Sequence, residues 1–375
     1  MNYKFIESTK ELNNICDDLL KEKVIGVDLE ADSMYCFKEK ICLMQIATAH
    51  KIFLIDPFNL KKISPFLRVL ENNETIKVFH GADFDIRSLD RDYKAKVNNL
   101  FDTEIACRFL GVQERSLAAL LKRNFNIAVK KKYQKADWSK RPFKQEMIQY
   151  SAMDVAYLTK LYEIISKKLI NKNRLSWAKE EFEIEEKVRY KNNTLQPLFK
   201  KFKGAGTMDN RTLAVLENLL QFRIKIAKKK DLPLFKIMSD FSLTAMAEHK
   251  PVTTDQIIQI RVLSRPQIYM YANECIKAII KAREIDDEKL PSYPGIKRAK
   301  RDFKVEKRVR QLKNMREKLS VSMGIEPGFL LNNALINSIS LQKPENCSQL
   351  MDIKRIRHWQ VANIGNDIIQ AVTHG

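Results

Sequence analysis

The first half of the sequence predicts an α/β domain, and the second half predicts an all-α region. Short runs rich in β-branched residues dominate the first 80 positions, whereas helical patterns fill the chain beyond position 210. Between these parts, residues 194–210 contain Pro197, Gly204 and Gly206, which are typical of a domain boundary. A chain of 375 residues is long enough for two or three domains, each with its own core.

The predicted sheet begins with strands that follow each other closely. Residues 3–7 form an opening strand, and a helix then runs to Leu20. The run Val24 to Glu30 (VIGVDLE) is apolar and β-branched at three positions, which predicts a strand buried on both faces. Residues 41–48 and 51–55 are β-rich runs joined by a short polar connection, as in a hairpin, which predicts an antiparallel start. Helices and strands then alternate, with helices at about 64–71, after Asp83 and at about 144–166, and a strand at 77–79. This pattern predicts a mixed α/β sheet.

An internal repeat marks the all-α region. Residues 223–251 contain a helix, DLPLF, a second helix and HKP, and residues 316–344 contain a helix, IEPGF, a second helix and QKP. The prolines are 251 − 233 = 18 and 344 − 327 = 17 positions apart. We therefore expect two copies of one small helical unit. Between the copies, residues 286–300 hold two prolines and a glycine among charges, as a linker does.

The charge balance favours a polyanionic partner. The chain carries 67 basic and 46 acidic residues, a net charge of +21. Residues 1–200 account for 36 − 28 = +8 of this charge and residues 201–375 for 31 − 18 = +13. Excess Lys and Arg contribute phosphate contacts and faster encounter with nucleic acid, although surface lysines also serve solubility. Composition alone therefore leaves both explanations open.

Carboxylates recur at the ends of the predicted elements. Asp28 and Glu30 are two residues apart on a strand, so their side chains share one face beside apolar packing, where unpaired charge is costly. Asp83 and Asp85 fall in the first turn of a predicted helix. Each motif also has a structural explanation, since a strand end can be solvated and acids stabilise a helix N-terminus.

A third motif follows on the helix of residues 144–166. Tyr150 and Asp154 are four positions apart and therefore lie on one helix face. In this order, the three motifs resemble those of the DEDD superfamily of 3′-to-5′ exonucleases, in the subgroup with tyrosine in its third motif, and more closely the bacterial ribonuclease D family. The family's D-x-E matches Asp28 and Glu30, its second-motif aspartate matches Asp85, and its Y-x-x-x-D matches Tyr150 and Asp154. A family-like DWS-x-RP stretch stands at 137–142.

The resemblance covers nearly the whole chain and implies a ribonuclease H-like fold in which the acids converge at one sheet edge. It also implies tandem helical domains of the HRDC type (helicase and RNase D C-terminal). The expected boundaries are 1–195 for the exonuclease domain, 207–286 and 301–375 for the two helical domains, and 287–300 for the linker.

The implied activity is two-metal hydrolysis of RNA from a free 3′ end, with release of nucleoside 5′-monophosphates and trimming of tRNA precursors and other small structured RNAs. Asp28, Glu30, Asp85 and Asp154 are the expected ligands of two Mg²⁺ or Mn²⁺ ions, because oxygen donors suit these cations. Tyr150 is expected to orient the attacking water. Its ordinary pKa near 10 makes it a poor base at neutral pH.

Two other functions remain open at this stage. One is a DNA-directed exonuclease of the same fold, against which stands the lack of any helicase-type GxxxxGK[ST] loop. The other is a non-catalytic RNA-binding protein. Six cysteines without metal-like spacing, no signal-peptide pattern and no membrane-length apolar run favour a cytoplasmic protein, which we expect to be a monomer.

Several further residues have two interpretations. The basic, aromatic stretch 125–138 is either an RNA contact in which Tyr133 or Trp138 stacks on a base, or a solvated loop anchored by one buried tryptophan. His80, Asp83 and Gln45 near the motifs are expected to be structural. Basic residues of the helical region are possible phosphate contacts but are more often solvated, and none is assigned to a site: Lys228, Lys229, Lys230, Arg298, Lys300 and Arg301.

Overall fold

The structure is a computed structural model that describes residues 2–129, 131–191, 197–294 and 302–373. It divides into two compact units. One unit contains Met1–Ala31, Ile41–Tyr190 and Lys300–Gly375, and the other contains Asp32–Lys40 and Lys191–Ala299. Among the described helices, none combines the length and the apolar character needed to cross a membrane.

A six-stranded mixed sheet lies at the centre of the first unit. Its strands are β1 (Lys4–Ile6), β2 (Val24–Ala31), β3 (Ile41–Ala47), β4 (Ile52–Ile55), β5 (Ile76–Phe79) and β6 (Leu100–Asp102). Their order across the sheet is β1-β4-β3-β2-β5-β6. The strands β2, β3 and β4 pair antiparallel, whereas β1, β5 and β6 are added by parallel pairing. The predicted mixed sheet is confirmed, and β2 with its two carboxylates lies in its interior.

Eight helices surround this sheet among residues 2–191. They are α1 (Thr9–Leu19), α2 (Ser64–Glu71), α3 (Asp83–Tyr93), α4 (Thr103–Phe109), α5 (Leu117–Phe125), α6 (Gln145–Ala156), α7 (Leu158–Asn171) and α8 (Leu175–Glu185). The sequence predicted one helix over 144–166, but the structure has two helices that meet at Tyr157. The predicted single helix was wrong because this break packs directly on β2, as described below.

The first helical repeat contains α9 (Asn210–Lys230), α10 (Leu234–Ile237), α11 (Asp240–His249), α12 (Thr254–Ile260) and α13 (Arg265–Arg283). It belongs to the second unit, together with residues 32–40 of the β2–β3 connection. The backbone N–H of Phe37 donates to Asp231 at 3.1 Å, and the Lys236 ammonium lies 4.3 Å from the ring centroid of Tyr35. The β2–β3 connection is therefore part of the unit that holds this repeat.

The second helical repeat contains α14 (Phe303–Met323), α15 (Pro327–Leu330), α16 (Asn333–Gln342), α17 (Cys347–Met351) and α18 (His358–Thr373). Its internal hydrogen bonds repeat those of the first copy at a constant offset. Arg223 donates to the carbonyl of Met238 at 3.0 Å, and Arg316 donates to the carbonyl of Leu331 at 3.0 Å. The offsets are 316 − 223 = 93 and 331 − 238 = 93. The prediction of two copies of one helical unit is confirmed.

A second pair of contacts has the same offset. Gln267 donates to the carbonyl of Ile237 at 3.0 Å, and Gln360 donates to the carbonyl of Leu330 at 2.8 Å. At an offset of 93, Pro251 corresponds to Pro344, as the sequence pattern indicated. Pro327, however, corresponds to Leu234, so the first proline pair is displaced by one position.

The second repeat packs on the α/β part of its own unit. Trp359 stacks on Trp177 of α8, with ring centroids 5.4 Å apart, and meets Phe109 of α4 edge-on at 5.2 Å. Phe329 of α15 lies 4.9 Å from Phe109. Ion pairs of 2.9 Å flank this aromatic cluster, namely Arg115–Glu326 and Arg357–Glu181. These contacts join the sheet domain and the second repeat in one continuous hydrophobic core.

Some predicted features lie outside the described residues. These are Arg298, Lys300 and Arg301 near the end of the linker, and Lys130 of the basic stretch. The predicted domain boundaries near residues 195 and 300 also lie outside the described residues, within 192–196 and 295–301, so these boundaries stay a prediction.

Candidate active site

The strand β2 places the first two predicted site residues. Asp28 is paired with Gln45 of β3 and Glu30 with Leu43, so both acids project from one face of the sheet. The register of the β2–β3 ladder shifts between Glu30 and Ala31, where the regular pairing ends. Gln45, which the sequence suggested to be structural, is fully buried beside Asp28.

The junction of α6 and α7 brings the third motif to this face. A Cβ at Gly26 of β2 would lie 2.7 Å from the Cβ of Leu158 and 3.2 Å from the carbonyl oxygen of Val155. Only glycine permits such a close approach of helix and strand. Because Asp154 directly precedes this contact point, the break in the helix places its carboxylate over β2.

Three of the predicted ligands lie together. Asp28, Glu30 and Asp154 each offer a carboxylate oxygen, and these oxygens all lie within 4.8 Å of one another. Asp85, in the first turn of α3, is buried and is not a member of this close group. Its charge nevertheless acts on Glu30, and that of Asp28 acts on Asp85, so it lies beside the cluster.

Burial raises the pKa of all four predicted ligands, and the charges of neighbouring carboxylates raise it further for Glu30, Asp85 and Asp154. Loss of solvent raises the pKa of Asp28 to about 7, and loss of solvent together with the charge of Asp28 raises that of Asp154 to about 8. The pKa values of Glu30 and Asp85 lie well above their ordinary values for the same two reasons. Four crowded carboxylates are a donor set that a divalent cation stabilises in ionised form, and oxygen donors suit hard cations. The residues therefore fit a divalent cation, as the resemblance implied.

Tyr150 lies one helical turn before Asp154 and lines the same cavity. Burial, followed by the charge of Asp154, raises the pKa of its hydroxyl well above the ordinary value. The hydroxyl is therefore protonated at neutral pH, and it donates a hydrogen bond to the carboxylate of Asp154.

The acids open into a cavity of about 310 Å³. Ser116, Leu117 and Ala118 at the start of α5 line it, together with Val129, Gln134 and His80. Sequence reasoning did not identify the α5 residues, and it included Val129 and Gln134 only within the stretch 125–138, a possible RNA contact, without naming either. They occupy a loop and a helix start with no spacing signal, and only the tertiary fold brings them to the acids.

His80 has both a structural contact and a place in the cavity. Its Nδ1 lies 2.9 Å from the hydroxyl of Thr103, which agrees with the structural role that the sequence suggested. The same ring also lines the cavity that holds the acids. Asp83 instead forms an ion pair with Arg87 of 2.7 Å at the surface, as expected of a structural residue.

The stretch before α6 anchors that helix. Trp138 is only 1 % exposed, and its ring lies 6.3 Å from that of Tyr150, so the interpretation of a loop anchored by a buried tryptophan is confirmed for this residue. Arg141 forms a 2.6 Å ion pair with the buried Asp56, and its guanidinium lies 3.8 Å from the ring centroid of Phe143. These contacts fix the DWS-x-RP stretch against the sheet and thereby orient the helix that carries Tyr150.

Two family models match the sequence. A 3′-5′ exonuclease model matches residues 3–170, which include all five predicted site residues. An HRDC domain model matches twice, over residues 212–279 and 305–372. The two HRDC matches coincide with the two helical repeats.

Individual relatives agree with these models. Ribonuclease D of Desulfotalea psychrophila is 26 % identical over 337 residues, which cover 89 % of each chain. Ribonuclease D of Haemophilus influenzae is 24 % identical over 99 % of this chain and 93 % of the relative. The crystal structure of Escherichia coli RNase D, at 19 % identity, covers 100 % of this chain and 99 % of the other with a TM-score of 0.75, which shows a common fold. With both kinds of domain matched and relatives aligned along nearly the full length, the chain belongs to the ribonuclease D family of 3′-to-5′ exoribonucleases.

Proposed function

We propose that this chain shortens RNA from its 3′ end at the acidic cluster of β2, α3 and α6. The observation that supports this proposal best is the grouping of Asp28, Glu30 and Asp154, whose carboxylate oxygens lie within 4.8 Å of one another in the lining of one cavity. In this proposal these three acids and Asp85 would hold two divalent cations, Mg²⁺ or Mn²⁺. The products are nucleoside 5′-monophosphates.

In this proposal, the carboxylates hold the cations in place and Tyr150 orients the attacking water. When bound, the two cations supply the positive charge that stabilises the attacking and leaving oxygens of an in-line displacement. The carboxylates hold that charge in place, and the fixed approach of α6 to Gly26 keeps Asp154 opposite Asp28. Tyr150 stays protonated and orients the attacking water through its hydroxyl, but its raised pKa makes it unsuitable as a base.

A basic surface beside the cavity supports a polyanionic strand as the substrate. A second, open cavity of about 820 Å³ shares Ser116, Ala118 and Val129 with the acidic one. It is also lined by Lys122 and Arg123, and neither of these forms an ion pair with a carboxylate within the described ranges. Their charge remains available for phosphates, which sequence-independent binding of nucleic acid requires. We propose that the strand upstream of the reacting nucleotide follows this surface.

The finer aspects of the proposal rest on family likeness. We propose tRNA precursors and other small structured RNAs as substrates, a monomeric protein, a cytoplasmic location, and domain boundaries at 1–195, 207–286 and 301–375. The net charge of +21 is consistent with RNA as the partner.

Digestion of end-labelled RNA tests the proposal. A tRNA-like RNA labelled at the 3′ or the 5′ end is incubated with Mg²⁺, with chelator, and beside matched DNA. Immediate release of labelled mononucleotide from the 3′ end and stepwise shortening of the 5′-labelled strand are expected only with metal. Asp28→Ala and Asp85→Asn are expected to lower the rate at least about 100-fold, since several kcal/mol of charge stabilisation are lost.

Asp83→Asn is the matched control, because Asp83 lies two residues before Asp85 but pairs with Arg87 at the surface. It is expected to keep its activity. RNA that binds without being shortened would indicate a non-catalytic binding protein, and degradation of DNA alone would indicate a DNA-directed exonuclease. Calorimetric titration with Mn²⁺ measures the number of bound ions, for which two is expected.

A further inference from the structure

The ring of His80 is held in a defined orientation at the edge of the acidic cavity. His80 directly follows β5, and its Nδ1 lies 2.9 Å from the Oγ1 of Thr103 at the start of α4. That same Oγ1 lies 3.0 Å from the carbonyl oxygen of Phe79. The three groups form a short chain of hydrogen bonds behind the cavity.

This chain determines which nitrogen of His80 carries the proton. The carbonyl of Phe79 only accepts, and the hydroxyl of Thr103 has one proton to donate. If that proton went to the imidazole, two lone-pair oxygens would face each other at 3.0 Å. Both contacts are satisfied only when Thr103 donates to Phe79 and accepts from His80. The Nδ1 of His80 therefore carries a proton.

The other nitrogen of the ring is then an acceptor. Burial lowers the pKa of His80 below its ordinary value, so the imidazole is neutral at pH 7. With the proton on Nδ1, Nε2 presents a lone pair. Within the described part of the chain, Nε2 has no hydrogen-bond partner, and it is not enclosed by protein. Because His80 lines the cavity, an uncharged acceptor stands beside the acids.

A neutral acceptor selects among the groups of a nucleic acid strand. Phosphate oxygens only accept hydrogen bonds, so an acceptor nitrogen does not bind them. A hydroxyl can donate a hydrogen bond to that nitrogen. The group that every internal ribonucleotide carries and every deoxyribonucleotide lacks is the 2′-hydroxyl. We propose that Nε2 of His80 accepts a hydrogen bond from a ribose 2′-hydroxyl of the bound strand, which makes His80 a residue that favours RNA over DNA. This inference rests on the proposed exoribonuclease function.

A scan with single 2′-deoxy nucleotides tests the inference. An oligoribonucleotide is prepared in all-ribose form and with one 2′-deoxy sugar at each of its last three positions. For the wild-type protein, one position is expected to lower kcat/KM by roughly 3- to 10-fold, the worth of one hydrogen bond. His80→Ala is expected to lower kcat/KM on the all-ribose strand by a similar factor and to lose sensitivity at that position. His80→Gln, which keeps an acceptor, is expected to retain part of the sensitivity.

Two further variants distinguish recognition of a 2′-hydroxyl by His80 from an unspecific effect of the substitution on activity. His50→Ala, at an exposed histidine of the β3–β4 connection, is expected to show the same deoxy profile as the wild type. Thr103→Val keeps the His80 ring but removes the partner of Nδ1, and it is expected to weaken the sensitivity. ¹⁵N NMR of the histidine side chains is expected to show the Nδ1–H tautomer for His80 in the wild type and its partial loss in Thr103→Val.

The outcomes distinguish the inference from the function on which it rests. Efficient digestion of RNA in which no deoxy position depends on His80 overturns the inference alone. Dependence on the terminal 3′-hydroxyl only, or on base identity, also overturns it, because the acceptor would then bind another donor. Failure of the wild-type protein to digest RNA overturns the proposed function and the inference together.

Discussion

The two helical repeats share the same internal hydrogen bonds but differ in what they pack against. Arg223 and Arg316, and likewise Gln267 and Gln360, make equivalent hydrogen bonds at an offset of 93. The second repeat nevertheless shares a core with the sheet domain, whereas the first belongs to the other unit. The residues that make the packing contacts of the second repeat are replaced in the first: Glu326 by Pro233, Phe329 by Lys236, Arg357 by Ser264 and Trp359 by Pro266.

This difference shows that the residues that form the internal hydrogen bonds of a repeat are not the residues that determine what the repeat packs against. The contacts that the two repeats share are hydrogen bonds from side chains to backbone carbonyls within the repeat, and we call the residues that make them the skeleton. Packing onto the sheet domain depends on a few surface positions that the skeleton does not constrain. The comparison can be tested by changing each class of residue in both repeats.

The largest effect is expected from Trp359→Ala. The side chain is 4 % exposed and packs on Trp177 and Phe109, so its loss leaves a cavity at the contact. We expect the free energy of unfolding of this unit to fall by about 3–5 kcal/mol. Pro266→Ala, at the equivalent exposed position, is expected to change stability by about 1 kcal/mol or less. Denaturant unfolding followed by circular dichroism measures the free energy of unfolding of both variants. Equal losses would contradict the proposal that only the second repeat depends on packing at this position.

Metal removal is expected to have the next largest effect, and only on the unit that contains the second repeat. The folded pKa values of Asp28 and Asp154, about 7 and about 8, lie above the ordinary value of 3.8. The metal-free fold therefore binds more protons than the unfolded chain from about pH 4 to pH 8, and its stability falls as the pH rises through this window. A bound divalent cation opposes this loss.

At pH 8 and a metal concentration about 100-fold above Kd, we expect stabilisation by about 3 kcal/mol. The effect should be smaller at pH 5, because protons compete for the carboxylates. Hydrogen exchange measured by mass spectrometry distinguishes the units. Protection should rise in the sheet domain and the second repeat, whereas equal gains in residues 210–283 would contradict the division.

Loss of the skeleton arginines is expected to cost the same in both repeats. Arg223→Ala and Arg316→Ala each remove a hydrogen bond to a carbonyl and one to the first residue of α11 or α16, Asp240 or Asn333. We expect about 2 kcal/mol for each, measured as local exchange protection in the affected repeat. Lys313→Ala, at an exposed position of α14, is a control expected to stay within about 0.5 kcal/mol of the wild type.

The smallest effect concerns the start of the last helix in each repeat. Ser264 caps α13 from within the first repeat, through a capping box with Gln267. In the second repeat Arg357 replaces this serine, and the carboxylate of Glu180 in α8 accepts from the backbone N–H groups of His358 and Trp359 at 2.7 and 2.9 Å. Each cap is expected to contribute about 1 kcal/mol.

Ser264→Ala should therefore destabilise the first repeat, and Glu180→Ala should destabilise the start of α18. The exposed Glu183 of the same helix provides the matched control, Glu183→Ala. Exchange protection at the first turns of α13 and α18 measures both effects. An unchanged α18 in the Glu180 variant would show that the cap is not supplied by the sheet domain.

Sequence reasoning was successful where the signal is local. The spacing of Asp28 and Glu30 follows from strand geometry, and that of Tyr150 and Asp154 from helix geometry, so each pair could be assigned to one face. The mixed sheet followed from β-rich runs and their connections. The catalytic roles of these residues stay a prediction, but the structure places them around one cavity.

Features that depend on distant backbone contacts could not be predicted. The break between α6 and α7 arises from the approach of Leu158 to Gly26, which is more than 130 positions earlier and carries no local signal. In the sequence, Trp359 cannot be distinguished from an ordinary core residue of a helical repeat, so its contact with Trp177 could not be predicted from the repeat pattern.

The excursion of residues 32–40 has a consequence for protein engineering. The chain leaves the sheet after β2, contributes nine residues to the second unit, returns as β3, and enters that unit again after Tyr190. The unit that contains the first repeat therefore consists of two separate segments of the chain. A deletion of residues 191–299 alone would leave a hairpin loop whose Phe37 amide and Tyr35 ring have lost Asp231 and Lys236. Grafting this module, or removing it, calls for redesign of the loop at the same time.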